Sequence, residues 1–325
     1  MKIKVLGNHS KSGAREHEHR PGYVFTNDPD CTDYDWLVVY DEMPCDDRGT
    51  FRCGYEPLRC PQEQTMLLTW EPVCIKGYSK AYTRQFGHLL SNRPPEAERH
   101  PHYHLGRGYY HWFNGHRLAE LTQSPVKTKE ISAVCSAKQM RHSKHFARFR
   151  LVSEMAKALP GLDWFGRGVR PLDKKYEALD AYRYHVAIEN HIGVHHWTEK
   201  LADAFLSECL PFYAGDPAIT EVFPSESVIP IPIDDPAEAI RIVRAALAAG
   251  EYEKRREAVL EAKRLVLEKY NFWDQVIGVI ESARGQTVTP VDPARPVRVY
   301  ARKALRRHSL PALAEDAWWH VSRGF

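Results

Sequence analysis

Two short polar clusters, Glu189-Asn190 and Thr198-Glu199-Lys200, carry the residue types needed to hold a phosphorylated, hydroxyl-rich ligand. A carboxylate accepts from neighbouring hydroxyls, an amide donates and accepts, and an ammonium supplies a mobile point charge for phosphate. The first cluster ends an apolar, β-prone run, Tyr184-His-Val-Ala-Ile188, and the second opens a helix whose apolar face is Leu201, Ala204 and Phe205. Thr198 is a good N-cap, so the first helical amides and Lys200 add positive potential where an anion would sit. In open α/β sheets ligands bind beyond the carboxyl ends of strands, which is where Glu189 and Asn190 fall. Glu199, Lys200 and Asp203 are expected on the polar side of the helix.

Other polar sites are weaker. Gly166-Arg167-Gly168 follows a strand and reads first as a turn, with Arg167 a candidate contact to phosphate or base. His100-Pro-His-Tyr-His104 would set alternating imidazoles on one face of a strand, but no acid or cysteine accompanies them at ligand spacing. A polar, aromatic acceptor loop with Tyr109, Tyr110 and Trp112 is the preferred reading, and no metal site is expected. Asp234-Asp235 could hold a metal-bound diphosphate, yet Asp235-Pro-Ala-Glu238 reads as an N-cap, a proline at the first helical position and a box-like Glu.

These groups need a scaffold. Ile131 to Val134, Leu162 to Phe165, His185 to Ile188, Leu210 to Tyr213 and Val228 to Ile233 read as buried strands alternating with helices, the rhythm of a parallel sheet in a Rossmann-like domain. Gly250 stops one helix, and residues 251 to 270 continue as a charged amphipathic one. Lys2 to Leu6, Trp36 to Tyr40 and Thr65 to Thr69 are strands of a less regular α/β first half, while Asn92 to Val126 lacks periodicity and suits a long functional loop. The expected division is residues 1–127 for the first domain and 128–284 for the second, with a basic tail at 285–325 after a Pro- and Thr-rich linker.

The stretch from Tyr184 through Thr198-Glu-Lys200 to Leu-Pro-Phe-Tyr-Ala-Gly215 and Pro224-Ser-Glu-Ser-Val-Ile229 resembles the donor-binding signature of glycosyltransferase family 10, the α-1,3/1,4-fucosyltransferases, in its soluble bacterial form. The resemblance spans about residues 60 to 285. It implies a GT-B-like α/β fold, two Rossmann-like domains facing a cleft, and an inverting transfer of L-fucose from GDP-β-L-fucose to a glycan hydroxyl without a required cofactor. In Ala147-Arg-Phe-Arg-Leu151, Arg148 matches the family's phosphate-binding arginine, and a guanidinium suits charge building on a departing diphosphate. Glu199 matches a ribose contact and Lys200 a diphosphate contact; Asn190 would face the donor, with Glu189 near the fucosyl ring. Thr69-Trp-Glu-Pro72 resembles the motif whose Glu is the proposed general base, which makes Glu71 the first catalytic carboxylate and Glu189 the second. The family usually has Tyr where this chain has His196, so the donor class is better defined than the sugar. A different nucleotide-sugar donor is the alternative reading, as is a non-catalytic glycan- or polyanion-binding protein.

Composition excludes a nucleic-acid partner as the first expectation, since 45 basic against 42 acidic residues leave a net charge of only +3. The seven cysteines lack paired metal-ligand spacing and read as reduced thiols. The first residues turn polar too soon for a signal peptide, and the chain reads as cytoplasmic. Arg295, Arg298, Arg302, Lys303, Arg306 and Arg307 precede Trp318-Trp319, so the tail either packs back on the first domain or meets an anionic membrane at the inner face of the cell. Expected partners are a nucleotide-sugar donor and an oligosaccharide or glycolipid acceptor.

Overall fold

The structure is a computed structural model that describes residues 1–7, 17–43, 54–69, 71–106, 121, 123–139 and 144–322. Tyr109, Tyr110, Trp112, Cys45 and Cys53 lie outside the described residues. The chain forms two compact units, one of Met1–Gly106 with Val276–Phe325, the other of Arg107–Gln275. The breaks therefore differ from the expected 127/128 and 284/285, and the tail belongs with the first unit.

The first unit is built on a seven-stranded sheet of β1 (Lys2–Gly7), β2 (His17–Arg20), β3 (Tyr23–Thr26), β4 (Trp36–Tyr40), β6 (Thr65–Thr69), β7 (His88–Ser91) and β8 (Tyr103–Leu105), in the order β2-β3-β1-β4-β6-β7-β8. All neighbours run parallel except the β2/β3 pair. The central strands β4 and β6 are buried throughout, which is why Trp-Leu-Val-Val-Tyr and Thr-Met-Leu-Leu-Thr read as unbroken apolar runs rather than alternating ones. β8 lies inside the segment expected to be loop. At three residues it is too short for a detectable period, and its pairing with β7 supplies the order.

The short helices α1 (Lys80–Thr83) and α2 (Pro95–Glu98) belong to this unit, and the returning tail completes it. β14 (Arg298–Tyr300) pairs antiparallel with β5 (Tyr55–Pro57), followed by α8 (Arg302–Leu305) and α9 (Leu310–Ser322), which packs on α1. Arg302 bonds Glu42 at 2.5 Å and Asp316 at 3.1 Å, and Arg306 meets Asp316 at 2.7 Å. Part of the basic tail is thus engaged in the unit's own ion pairs.

The second unit is a five-stranded, wholly parallel sheet of β9 (Lys129–Val134), β10 (Leu162–Phe165), β11 (Tyr182–Ile188), β12 (Leu210–Ala214) and β13 (Ile229–Pro230), ordered β10-β9-β11-β12-β13. Its helices are α3 (His145–Ala158), α4 (Glu199–Leu206), α5 (Pro236–Ala249) and α6 (Glu251–Glu268); α7 (Phe272–Ser282) leads back to the first unit. One core joins the sheet to these helices, with Leu151, Leu201, Phe205, Phe212, Val243 and Val259 buried in it. β13 keeps only two residues of the expected Val228 to Ile233 strand. Pro230 and Pro232 have no N–H to give a ladder, so the run survives as a short edge. Gly250 ends α5 at φ 62°, a left-handed conformation that costs glycine little.

Candidate active site

In the second unit the chain moves outward from β9 to β10 and then back across to β11, so the loops after β9 and β11 part and leave room between them. Such a switch point is where open α/β sheets bind ligands. β9 leads through Cys135 towards α3, whose first turn carries Arg148. β11 delivers Glu189 and Asn190. The Arg148 guanidinium donates from Nη1 to Asn190 Oδ1, and the Lys144 amide donates to the Asn190 carbonyl at 3.0 Å, so the two loops are tied together. Arg148 is only 7% exposed, and its Nε has no hydrogen-bond partner among the described residues.

Glu189 is completely buried. Its Oε1 accepts from the Thr198 amide at 2.8 Å and its Oε2 from the Thr198 hydroxyl at 2.6 Å, while Lys200 Nζ lies 3.5 Å from Oε2. Burial pushes its carboxyl above the usual range, with Lys200 and the Thr198 donors working the other way. Thr198 caps α4, and Lys200 Nζ donates to its hydroxyl oxygen at 3.0 Å and to Glu199 Oε1 at 2.9 Å. For Glu199 burial acts upward, but Lys200 and then Lys175 outweigh it and hold the carboxylate below its usual range. Burial acts against the Lys200 ammonium, and Glu199 and Glu189 overcome it and raise its pKa. The result is a compact set of ionisable groups: two acids, one lysine and one arginine.

The neighbouring loop is held from β12. A Cβ on Gly215 would come within 2.1 Å of Tyr213 Oη and 2.7 Å of Glu189 Cγ, so only glycine fits there without displacing both. Tyr213 Oη accepts from the Asp216 amide at 2.9 Å, and Asp216 Oδ2 accepts from the His195 amide at 3.0 Å. His195 sits at φ 65°, a conformation that a side-chain-bearing residue adopts only when held. His196 is buried with its ring edge-to-face on His191 at 5.2 Å, whereas Trp197 packs into the core against Phe223 and Tyr270.

Arg167 is exposed on the turn after β10, and its carbonyl accepts from the Ala137 amide at 2.9 Å. A Cβ on Gly166, at φ 142°, would fall 2.4 Å from the Cys135 carbonyl, which explains glycine at this close approach. The turn therefore lies at the same end of the sheet as Arg148 and Glu189.

Glu71 follows β6 in the first unit. Its carbonyl is clamped by Arg93 Nε at 2.9 Å and Nη2 at 2.6 Å, and the residue itself is exposed. Arg93 is buried, also donating to the Lys76 carbonyl at 2.6 Å and to Glu98 at 3.1 Å.

One expectation changes. Asp203 does not lie on a polar face; it is buried and paired with Lys175, because the turn at Lys175–Ala178 covers that side of α4. Of the histidines near the expected acceptor loop, His100 is buried and meets the Phe86 carbonyl at 3.1 Å, His104 Nε2 lies 3.1 Å from His88 Nδ1 on β7, and His102 is exposed. Asp235 caps α5 through the Glu238 amide at 3.1 Å, and Asp234 pairs with Lys144 at 2.9 Å. Among the described residues no group of three or more His, Cys, Asp or Glu is arranged to hold a metal ion. Sequence reasoning missed Cys135, Tyr213 and Asp216 as parts of the site; the one local signal was a glycine directly after a buried strand.

A crystal structure of an α1,3-fucosyltransferase with GDP-fucose matches this fold at a TM-score of 0.53, with 14% identity over 90% of this chain and 92% of that one. An α1,3-fucosyltransferase with GDP gives 0.49 at 14% identity over 89% and 92%, and a DNA-modifying β-glucosyltransferase gives 0.46 at 10% over 86% and 100%. No curated protein matches the sequence. The parallel α/β architecture is of the GT-B type, and the chain is a glycosyltransferase. Residues 124–241, all within the second unit, match the family model for glycosyltransferase family 10 (fucosyltransferase) C-term.

Proposed function

We propose that the protein transfers L-fucose from GDP-β-L-fucose to a glycan hydroxyl with inversion at the anomeric carbon. The observation that carries this reading is the charge set at the switch point, above all the buried Arg148, whose Nε has no hydrogen-bond partner among the described residues, close enough to Lys200 to repel its charge. In this reading both cations face the diphosphate, Arg167 adds a third contact at the rim, Glu199 accepts from the ribose hydroxyls, and Asn190 and His196 line the donor. Glu71 takes the proton of the acceptor hydroxyl. That oxygen bonds to the anomeric carbon from the face opposite the nucleotide, and the carbon–phosphate oxygen bond breaks with its electron pair leaving on GDP. Glu189, with both oxygens occupied by Thr198, has a positioning part: it fixes the helix start. Arg148 and Lys200 supply the charge that stabilises the leaving diphosphate, so no metal step is invoked.

The GDP-fucose present in one structural neighbour supports this donor. The test is calorimetric titration of the full chain with GDP-, UDP- and CMP-sugars. GDP and GDP-fucose should bind and raise the melting temperature, as any native-state ligand must. Binding of UDP- or CMP-sugars alone would favour the other donor reading that His196 motivates, and no nucleotide affinity at all would leave a glycan-binding protein. We propose that the acceptor meets the first unit, with Tyr109, Tyr110 and Trp112, which fall in the second unit's stretch of sequence and outside the described residues, kept as separate candidate contacts, and that α9 touches an anionic bilayer. The bilayer reading rests on an outward apolar stripe, with Leu310 81%, Leu313 48% and Val321 78% exposed, and is checked by vesicle co-sedimentation.

A further inference from the structure

Between α9 and the segment 73–80 of the first unit lies a recess of about 270 Å³, lined among others by Tyr78, Lys80, Ala97, Glu315, Trp318 and Trp319. Gly77 lets the Trp319 ring pack on the backbone, since a Cβ there would sit 2.6 Å from the indole. Trp318 stands at the mouth, 71% exposed. Glu315 Oε2 accepts from the Lys80 amide at 2.6 Å; neither its Oε1 nor Lys80 Nζ has a hydrogen bond among the described residues. The Tyr78 hydroxyl is buried beside the recess without a hydrogen-bond partner among the described residues, and the Arg93 guanidinium lies 4.4 Å from its ring centroid. That same guanidinium clamps the Glu71 carbonyl, so wall and candidate base share one support.

We infer that this recess is a saccharide subsite that takes one pyranose ring of the acceptor. A pyranose has an apolar C–H face and an equatorial rim of hydroxyls. An exposed indole flanked by a carboxylate acceptor and an ammonium donor complements both, and the volume suits one ring rather than a nucleotide. A cation or an anion would gain little from a mouth where Lys80 and Glu315 offset each other. The inference rests on the acceptor-binding part of the proposed function. It names a place for that acceptor.

Exposed positions permit variants that spare the core. Ala97→Trp should fill the recess, and Trp318→Ala should remove its platform. With the full chain, saturation-transfer NMR with a β-linked galactose–N-acetylglucosamine disaccharide reads binding directly. Ala97→Trp should lower affinity and raise the acceptor KM about tenfold, and Trp318→Ala by about threefold or more, with the KM for GDP-fucose within about twofold of the parent. Unchanged disaccharide affinity in both variants overturns the subsite, as does the absence of any saccharide signal from a chain that binds GDP. Loss of anionic-vesicle binding alone in these variants also overturns it and assigns the residues to the bilayer. If GDP does not bind yet the saccharide signal vanishes in Ala97→Trp, the subsite stands and the donor reading falls.

Discussion

A buried guanidinium nitrogen without a partner is costly to keep, and among the described residues Arg148 Nε has none. A diphosphate oxygen would remove that cost, which places the functional weight on Arg148 rather than on the exposed Arg150, whose guanidinium is spent on the Asp234 carbonyl at 3.0 Å. Arg148→Ala is therefore expected to weaken GDP binding about tenfold or more, the size of a lost charge-assisted contact. Glu71→Gln should leave GDP affinity within about twofold while turnover falls by about 10²–10⁴, because the amide keeps the shape and cannot take a proton. Calorimetry and initial rates on the two variants check the separation, and near-normal turnover in Glu71→Gln would remove it from the base position. Glu189, Asn190, Thr198, Glu199 and Lys200 were legible in the sequence because they lie together along the chain. Cys135, Tyr213 and Asp216 were not, since only the register of β9, β11 and β12 brings them to the same place. Asp203 was misread for a related reason: nothing local to α4 announces that Lys175 covers it.

Elements buried on both faces were the easiest to read. β4, β6, β11 and β12 are largely apolar runs bounded by turn residues, so their positions follow from composition alone. Short edge elements were not readable. β8, β5 and β14 have three residues each, and β14 is a strand only because β5 pairs with it from far away in the sequence. In the tail, Arg302 and Arg306 turn inward to Asp316, while Arg295, Arg298, Lys303 and Arg307 are exposed and α9 carries an outward apolar stripe. Anionic phosphatidylserine vesicles should accordingly co-sediment the protein, and Leu310→Glu with Val321→Glu should abolish this without shifting the melting temperature, since both side chains are already in solvent. Vesicle binding that survives the double change would remove α9 as the contact.

At the scale of the whole molecule the buried imidazoles set the response to acid. Burial, reinforced by His104, His102 and His100, pushes His88 down to about 4; burial with Lys175 and Lys127 pushes His185 down to about 3. Their unfolded values lie near 6.5. Below that pH the unfolded chain binds protons that the folded chain refuses, so stability is highest above about 6.5 and falls as pH drops towards 4. Each such histidine contributes a slope of up to about 1.4 kcal/mol per pH unit in that window. Denaturant unfolding at steps from pH 7 to 4 should show this decline, and His88→Gln should flatten it. A midpoint that stays constant over the range would show that these imidazoles titrate normally.

The pairing of β14 with β5, and of α9 with α1, also fixes an order of assembly. The first unit draws on residues from both ends of the chain, whereas the second is a continuous segment. As the polypeptide leaves the ribosome, the second unit has all its strands before the first unit has its closing ones. Leu58, Tyr82 and Phe86, which share a core with Val299, Leu305 and Ala312, must wait for that later segment to be made. Until then the nascent chain carries a finished domain behind an unfinished one.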